Sequence, residues 1–250
     1  MSPQQYAQRI RSDERAIAEA RAAADALRVH PALAGTVRKA GLQSAQEDAE
    51  LRFRQAVRSE QEDIRLLAAD PEVIESAAAQ LPSPARENVL DSIHAMQALW
   101  RLAGIEASSL IQRHRTRRHD SSVPVGTLVT YYREAGAKHG VDWSYLAAIN
   151  FVESDFGRVS APSSAGALGP MQFMPETWNA YGEGDVWNPH DAISGAAHYL
   201  AANGAPADMP RALWHYNHDY DYVEAVTRYA TAIRRDPDWL TRYYYWNTHG

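Results

Sequence analysis

Glu153 is the residue of this sequence best suited to acid–base chemistry. It follows a segment with apolar residues at helical spacing, Leu146, Ile149 and Val152. A carboxyl group near a helix C-terminus and beside an apolar face is disfavoured as an anion, so we expect its pKa to be raised. Such a group can protonate a glycosidic oxygen and later, as a carboxylate, accept a proton. Periodicity alone leaves open a solvated, helix-terminal glutamate without a role.

A glycine-rich segment follows Glu153 and suits the close approach of a ligand. Residues 166–175 read GALGPMQFMP, in which Gly166 and Gly169 carry no side chain to hold another chain away. Gln172 offers both a donor and an acceptor to hydroxyl or acetamide groups. Together with Glu153, this segment predicts an acid site whose backbone a ligand can approach.

A second carboxylate, which ordinary retaining and inverting glycosidases need, has several candidates. The candidates are Asp155, Glu176, Glu183, Asp185 and Asp191. Asp191 is better explained as part of a helix start, and Asp155, two residues after Glu153, points to another helix face.

Helices joined by short loops are predicted to position these residues. In the C-terminal part, stop signals predict that helices end at Gly140, Gly157 and Gly204. Start signals predict that helices begin at Asp142, Pro175, Asn188-Pro189 and Pro210. A last long helix is predicted over Tyr222–Arg235. The aromatic tail RYYYWN is predicted to be packed. Because no convincing alternating strand is present, we expect an all-α domain.

The N-terminal part predicts a helical scaffold. Its expected elements are a helix over 4–29, a second opened by the capping box Ser44–Glu47, a short segment from Pro71, and a fourth from Ser83-Pro84 to Gly104. The first two form a hairpin. A scaffold or coiled-coil spacer is the main interpretation, and a surface for a protein or wall-polymer partner is the functional alternative.

Composition divides the chain into an arm, 1–118, and a domain, 119–250. Of 24 aromatic residues, 21 lie from residue 119 onward, where 8 Lys+Arg face 15 Asp+Glu. An acidic, aromatic domain argues against nucleic-acid binding. Residues 111–120, with four arginines and two histidines, are predicted to be a solvated linker, or alternatively a contact for anionic polymers or head groups.

The sequence contains no cysteine, which excludes disulfides and thiolate metal sites. It also contains no run of about 18 apolar residues that would predict a membrane span. The start of the chain lacks a basic segment followed by an apolar one, so we expect no export signal or anchor within it.

Three motifs in order carry a resemblance to a known family. Glu153-Ser154, residues 169–175 and Tyr216-Asn217 resemble the motifs of the lytic transglycosylases of the lysozyme-like superfamily. The sequence segments that carry these motifs are most similar to the transglycosylase B branch and to related actinobacterial-type secreted enzymes. They read ESDFGRV, SSAGALGPMQFMPETW and WNPHDAISGAAHYLAANGA.

The resemblance covers about residues 124–235 and implies an all-α, lysozyme-like fold of the goose-type or SLT kind, preceded by the helical arm. Two departures fall in the third motif. His215 stands where a small residue is usual before Tyr216-Asn217, and the usual glycine after them is missing.

The resemblance also implies residue roles. Glu153 matches the single catalytic acid/base, and Ser154 the supporting hydroxyl beside it. Tyr216 matches the tyrosine whose hydroxyl orients the glutamate. The remaining implied support or groove residues are Gly169, Met171, Gln172, Phe173 and Asn217. No calcium-loop pattern is present, so we expect neither a metal nor another cofactor.

The implied reaction cleaves the β-1,4 bond between N-acetylmuramic acid and N-acetylglucosamine in peptidoglycan glycan strands. Glu153 would protonate the linking oxygen and then deprotonate the C6 hydroxyl, which leaves a 1,6-anhydromuramoyl end. We therefore expect an extracytoplasmic enzyme. Two alternatives are a hydrolytic muramidase on the same fold and a non-catalytic wall-binding or scaffold protein.

Overall fold

The computed structural model describes residues 1–28, 36–105, 123–158 and 161–246. Eleven helices lie in these residues: α1 (Pro3–Arg28), α2 (Thr36–Ala68), α3 (Ile74–Ala78), α4 (Ala85–Leu102), α5 (Val125–His139), α6 (Trp143–Ser154), α7 (Pro175–Tyr181), α8 (Pro189–Ala202), α9 (Met209–Tyr216), α10 (Tyr220–Arg235) and α11 (Asp238–Tyr245). The described ranges contain no strand beyond one isolated bridge, so the all-α class is confirmed. None of these helices combines the length and apolar character needed to cross a membrane.

The chain forms two compact units, Met1–Arg86 and Glu87–Gly250. This division lies earlier than the boundary near residue 118 that composition suggests, because α4 belongs to the second unit. Its Asp91 pairs with Arg235 of α10 at 2.8 Å, and its Ser92 hydroxyl shares a 2.7 Å hydrogen bond with the Tyr243 hydroxyl. The run 111–120, predicted to be a linker, lies outside the described residues.

The first unit is a hairpin of α1 and α2 with α3 beside α1. Its apolar seam is buried and includes Ile10, Ile17, Phe53, Val57, Ile64 and Leu67. The prediction that α2 begins at Ser44 was wrong, because the helix already begins at Thr36. Strong helix formers before Ser44 extend the helix, so Ser44 and Glu47 lie exposed within it rather than capping it.

Local capping signals fix most helix ends of the second unit. Gly140 ends α5 at φ 71°, as predicted, and the Asp142 side chain caps α6 by accepting from the Ser144 N–H. Asn188 likewise caps α8. Helix α10 begins at Tyr220, two residues before the predicted start, because Asp219 is its cap.

Helix α6 lies at the centre of the second unit, packed against α5, α8, α10 and α11. Phe151 of α6 stacks on Tyr243 at a centroid distance of 5.2 Å and also contacts Tyr229 and Trp246. The C-terminal aromatic tail is buried, as predicted, at Tyr243, Tyr244 and Trp246. The helix that carries Glu153 is therefore fixed on several sides.

Candidate active site

Glu153 is the penultimate residue of α6, and its carboxyl group meets one hydroxyl donor. The Tyr222 hydroxyl donates to Glu153 Oε1 at 2.7 Å. The residue keeps part of its surface accessible to solvent, yet protein atoms surround the carboxyl group. This removal of water raises the pKa of Glu153 to about 7, and the hydrogen bond from Tyr222 acts in the opposite direction. The group can therefore hold a proton near neutral pH and also release it.

The tyrosine that bonds Glu153 differs from the one implied by the sequence. The Tyr216 hydroxyl donates to the main-chain oxygen of Met171 at 2.7 Å, whereas Tyr222 contacts the glutamate. The two rings lie parallel with centroids 6.3 Å apart. Tyr216 remains close enough for the charge of Glu153 to help raise the pKa of the Tyr216 phenol, after burial as the main cause.

A helical pattern could have identified Tyr222. It begins the buried stripe of α10 that continues through Ala225, Val226, Tyr229 and Ile233 at spacings of three and four. The neighbouring Val223 lies outside this stripe and is only half-buried. A tyrosine on the core-facing stripe at the first turn of a helix is where a hydroxyl can reach a neighbouring buried carboxyl.

The other acidic candidates have structural partners or are exposed. Asp155 pairs with Arg158 at 3.0 Å. Asp191 accepts from the Asp185 N–H, and Asp185 from the Trp187 N–H. Glu176 and Glu183 are exposed. Within the described residues, no other carboxylate is among the causes of the Glu153 pKa shift.

Ser154 and Asn150 attach the end of α6 to the glycine-rich segment. The Ser154 hydroxyl donates to the Pro170 carbonyl at 2.6 Å, and the Asn150 side-chain amide donates to the same oxygen at 2.8 Å. Ser154 also accepts from the Gly157 N–H, and Asn150 accepts from the Tyr132 hydroxyl. Sequence reasoning missed Asn150, although a lone polar residue on the apolar face of α6 is a usable signal.

Residues 168–173 form a tight turn beside α6. Leu168 and Phe173 exchange two main-chain hydrogen bonds of 2.8 Å. Gly169 has φ 73°, and a Cβ there would lie 1.9 Å from the Val186 carbonyl oxygen, so only glycine fits. Gln172 is also left-handed at φ 49°, and its side-chain amide donates to the Gly169 carbonyl at 2.8 Å.

The structure brings most of the predicted residues together around this turn. Met171 and Phe173 are buried and support the turn from within, whereas Gln172 is half-exposed. Asn217 ends α9 directly after Tyr216 and is half-exposed. The described residues contain no group of three or more His, Asp or Glu side chains arranged to hold a metal ion.

Comparisons with known proteins agree with this geometry. Residues 130–240 match the family model of the transglycosylase SLT domain. A membrane-bound lytic murein transglycosylase F of Thiobacillus denitrificans is 32% identical over 146 residues, which cover 55% of this chain and 29% of the relative. The protein of the same name in Stutzerimonas stutzeri is 32% identical over 118 residues, covering 44% of this chain and 24% of the relative.

The chain thus matches less than a third of the length of these relatives. Both relatives are named transglycosylase F, whereas the motif sequences resemble the transglycosylase B branch. No solved structure gives a significant match. The helical fold and the order of the motifs agree with the match over 130–240, which identifies this part of the chain as a transglycosylase SLT domain.

Proposed function

We propose that the chain is a peptidoglycan lytic transglycosylase in which Glu153 is the single acid and base. The observation that carries this proposal is the state of Glu153, partly accessible, with a pKa raised to about 7 and a hydroxyl donor at 2.7 Å. A proton donor for a leaving oxygen needs such a pKa near the operating pH. The domain match and the names of the relatives support the substrate class.

The proposed reaction proceeds without water. Protonated Glu153 gives its proton to the β-1,4 oxygen as the bond to muramic C1 breaks, and the muramoyl acetamide stabilises the cation. The Glu153 carboxylate then removes the proton of the C6 hydroxyl, whose oxygen bonds C1. The glutamate ends protonated, and the product carries a 1,6-anhydromuramoyl end. The other acidic candidates are engaged by Arg158 or by main-chain N–H groups, or are exposed, which favours this one-acid scheme.

The surrounding residues have supporting roles in the proposal. Tyr222 stabilises the carboxylate formed after proton transfer, because its hydroxyl bonds the charged form. Ser154 holds the turn to α6, Gly169 allows the turn to lie against the Val186 carbonyl, and Tyr216 fixes the same turn through the Met171 carbonyl. Gln172, Phe173 and Asn217 are assigned to the glycan groove or its support.

Mass spectrometry of digested peptidoglycan sacculi tests the proposal. The expected products carry 1,6-anhydromuramoyl ends, and the Glu153→Gln variant should release none. Products with only reducing muramic ends would identify a hydrolytic muramidase instead. Equal, slow clearance by the wild type and by Glu153→Gln would indicate a non-catalytic wall-binding protein.

The proposal includes location and the N-terminal arm. A peptidoglycan substrate requires action outside the cytoplasm, and the relatives' names describe membrane-bound murein enzymes. The residues before 119 are proposed to be an arm or spacer that contacts a protein or wall polymer. Pull-down of the full chain with purified sacculi, compared with a chain lacking the first unit, tests that role.

A further inference from the structure

The turn that follows Glu153 is held in place by Arg158, the residue directly after the turn. After α6 ends at Ser154, three successive residues have left-handed backbones, Asp155 at φ 51°, Phe156 at φ 61° and Gly157 at φ 81°. Two of them are not glycine, and side chains disfavour this conformation. A turn of this kind persists only where its surroundings hold it in place.

Arg158 supplies much of that hold. One guanidinium nitrogen donates to the Asp155 carboxylate at 3.0 Å and to the Asp155 carbonyl at 3.2 Å. The other donates to the Tyr244 carbonyl at 2.6 Å, and the guanidinium lies 4.5 Å from the centre of the Tyr244 ring. Only 17% of the Arg158 side chain and 9% of the Asp155 side chain are exposed. A largely buried pair of this kind depends on both partners.

Tyr244 extends the brace to two further parts of the unit. Its ring lies 5.6 Å from that of Phe156, the middle residue of the turn, and its hydroxyl donates to the Val123 carbonyl at 3.0 Å. Tyr244 lies beyond residue 240, where the match to the SLT domain ends. The brace therefore uses a C-terminal segment outside the matched domain.

We propose that Arg158 is a positioning residue, which braces the turn after Glu153 against α11 and so fixes the glutamate carboxyl group beside Tyr222. This inference rests on the proposed function for its role in turnover. The brace itself rests on the bonds of Arg158 to Asp155 and Tyr244. Loss of the guanidinium frees the turn, so the terminal residues of α6 move and solvent gains access to Glu153.

Turnover of a soluble peptidoglycan tetrasaccharide by three variants tests the role of Arg158. Arg158→Ala should lower kcat about 10- to 100-fold with KM within twofold, because small displacements of a catalytic group have effects of this size. Arg158→Lys, which keeps a charge near Asp155 without the two-pronged fork, should recover part of the loss. Arg235→Ala, the matched control, removes a two-pronged arginine from Asn88 and Asp91 elsewhere in the unit and should leave kcat within twofold.

The pKa of Glu153, measured by carbon NMR in the same full-length proteins, provides a readout independent of turnover. It should fall toward an ordinary carboxyl value in Arg158→Ala and stay unchanged in Arg235→Ala. An unchanged kcat and Glu153 pKa in folded Arg158→Ala or Arg158→Lys would overturn the inference, as would equal losses in Arg158→Ala and Arg235→Ala. If wild type releases no product but its Glu153 pKa depends on Arg158, the proposed function fails and the brace stands.

Discussion

Asp13 in the first unit and Glu153 in the second share one electrostatic property and differ in their surroundings. Burial raises the pKa of each carboxyl group to about 7. Asp13 lies in the contact between α1 and α2, where the residue is 9% exposed. A hydrogen bond with Ser59 lowers its pKa, and the neighbouring Asp63 raises it further.

The surroundings distinguish a structural acid from the proposed catalytic acid. Asp63, the neighbour of Asp13, is buried and pairs with Arg9 at 2.9 Å. Asp13 thus lies among side chains that pack α1 against α2. Glu153 instead lies at a helix end beside a turn of glycine and main-chain groups, with part of its surface accessible. A raised pKa thus reports loss of water, and a catalytic acid needs in addition a path for the substrate.

The largest expected effect distinguishes the two acids by activity. Glu153→Gln should lower peptidoglycan turnover about 10³-fold, roughly 4 kcal/mol, because the amide neither donates nor accepts the transferred proton. Asp13→Asn should stay within twofold of wild type. Release of anhydromuramoyl products measures both variants. A comparable loss in Asp13→Asn would remove the distinction drawn here.

Close backbone approach beside Glu153 can be tested at two glycines with left-handed backbones. Gly169→Ala places a methyl group 1.9 Å from the Val186 oxygen, so it should destabilise the second unit by about 3 kcal/mol. Gly166→Ala has open space at φ 88° and should cost about 1 kcal/mol. Urea unfolding followed by tryptophan fluorescence reports this unit, because all seven tryptophans lie from residue 100 onward. Equal costs would contradict the close approach.

The pH dependence of stability tests the first unit. Because the pKa of Asp13 is about 7 in the folded state and its ordinary value is 3.8, the folded state binds more protons between these pH values. Stability from this group is therefore present at low pH and lost as pH rises from about 4 to 7. Asp13→Asn should remove on the order of 2 kcal/mol of this loss.

Urea unfolding at pH 5 and pH 8, followed by far-ultraviolet circular dichroism, measures the Asp13 effect. The matched variant Glu153→Gln should instead alter the transition seen by tryptophan fluorescence. Parallel curves for wild type and Asp13→Asn would show that Asp13 is not the titrating group.

The smallest expected effect concerns the two tyrosines near Glu153. Tyr222→Phe removes a hydrogen bond that lowers the Glu153 pKa, so that pKa should rise and the basic limb of the pH–rate profile should move upward. Turnover should fall about tenfold, roughly 1.4 kcal/mol. Tyr216→Phe should lower turnover without moving the limb, since its hydroxyl bonds Met171. A shift in Tyr216→Phe alone would reverse the assignment.

Sequence patterns predicted what depends on neighbours along the chain. The ends of α5, α6 and α8 follow from Gly140, Asp142 and Asn188, whose effects are local. The local capping signal failed at Ser44, where helix propensity on both sides was stronger. Glu153 and the glycine-rich turn could be predicted as a candidate site because they lie close together in the sequence.

What the sequence did not predict depends on packing between distant segments. Tyr222 reaches Glu153 across 69 positions because α10 packs on α6. The buried stripe of α10 marks Tyr222 as facing the core, but it does not say which carboxyl group the hydroxyl meets. Asn150 and Arg158 act through the carbonyls of Pro170 and Tyr244, atoms that every residue possesses. The division near residue 86 likewise follows from ion pairs between α4 and α10.

Main-chain anchoring of the turn at residues 168–173 has a consequence for which substitutions the site tolerates. The carbonyls of Pro170 and Met171 accept hydrogen bonds from side chains of α6 and α9. Substitutions of similar size at Pro170 or Met171 preserve these acceptors, whereas changes on α6 or α9 remove donors. The position of the turn therefore depends on the side chains of the two helices more than on the side chains of Pro170 and Met171.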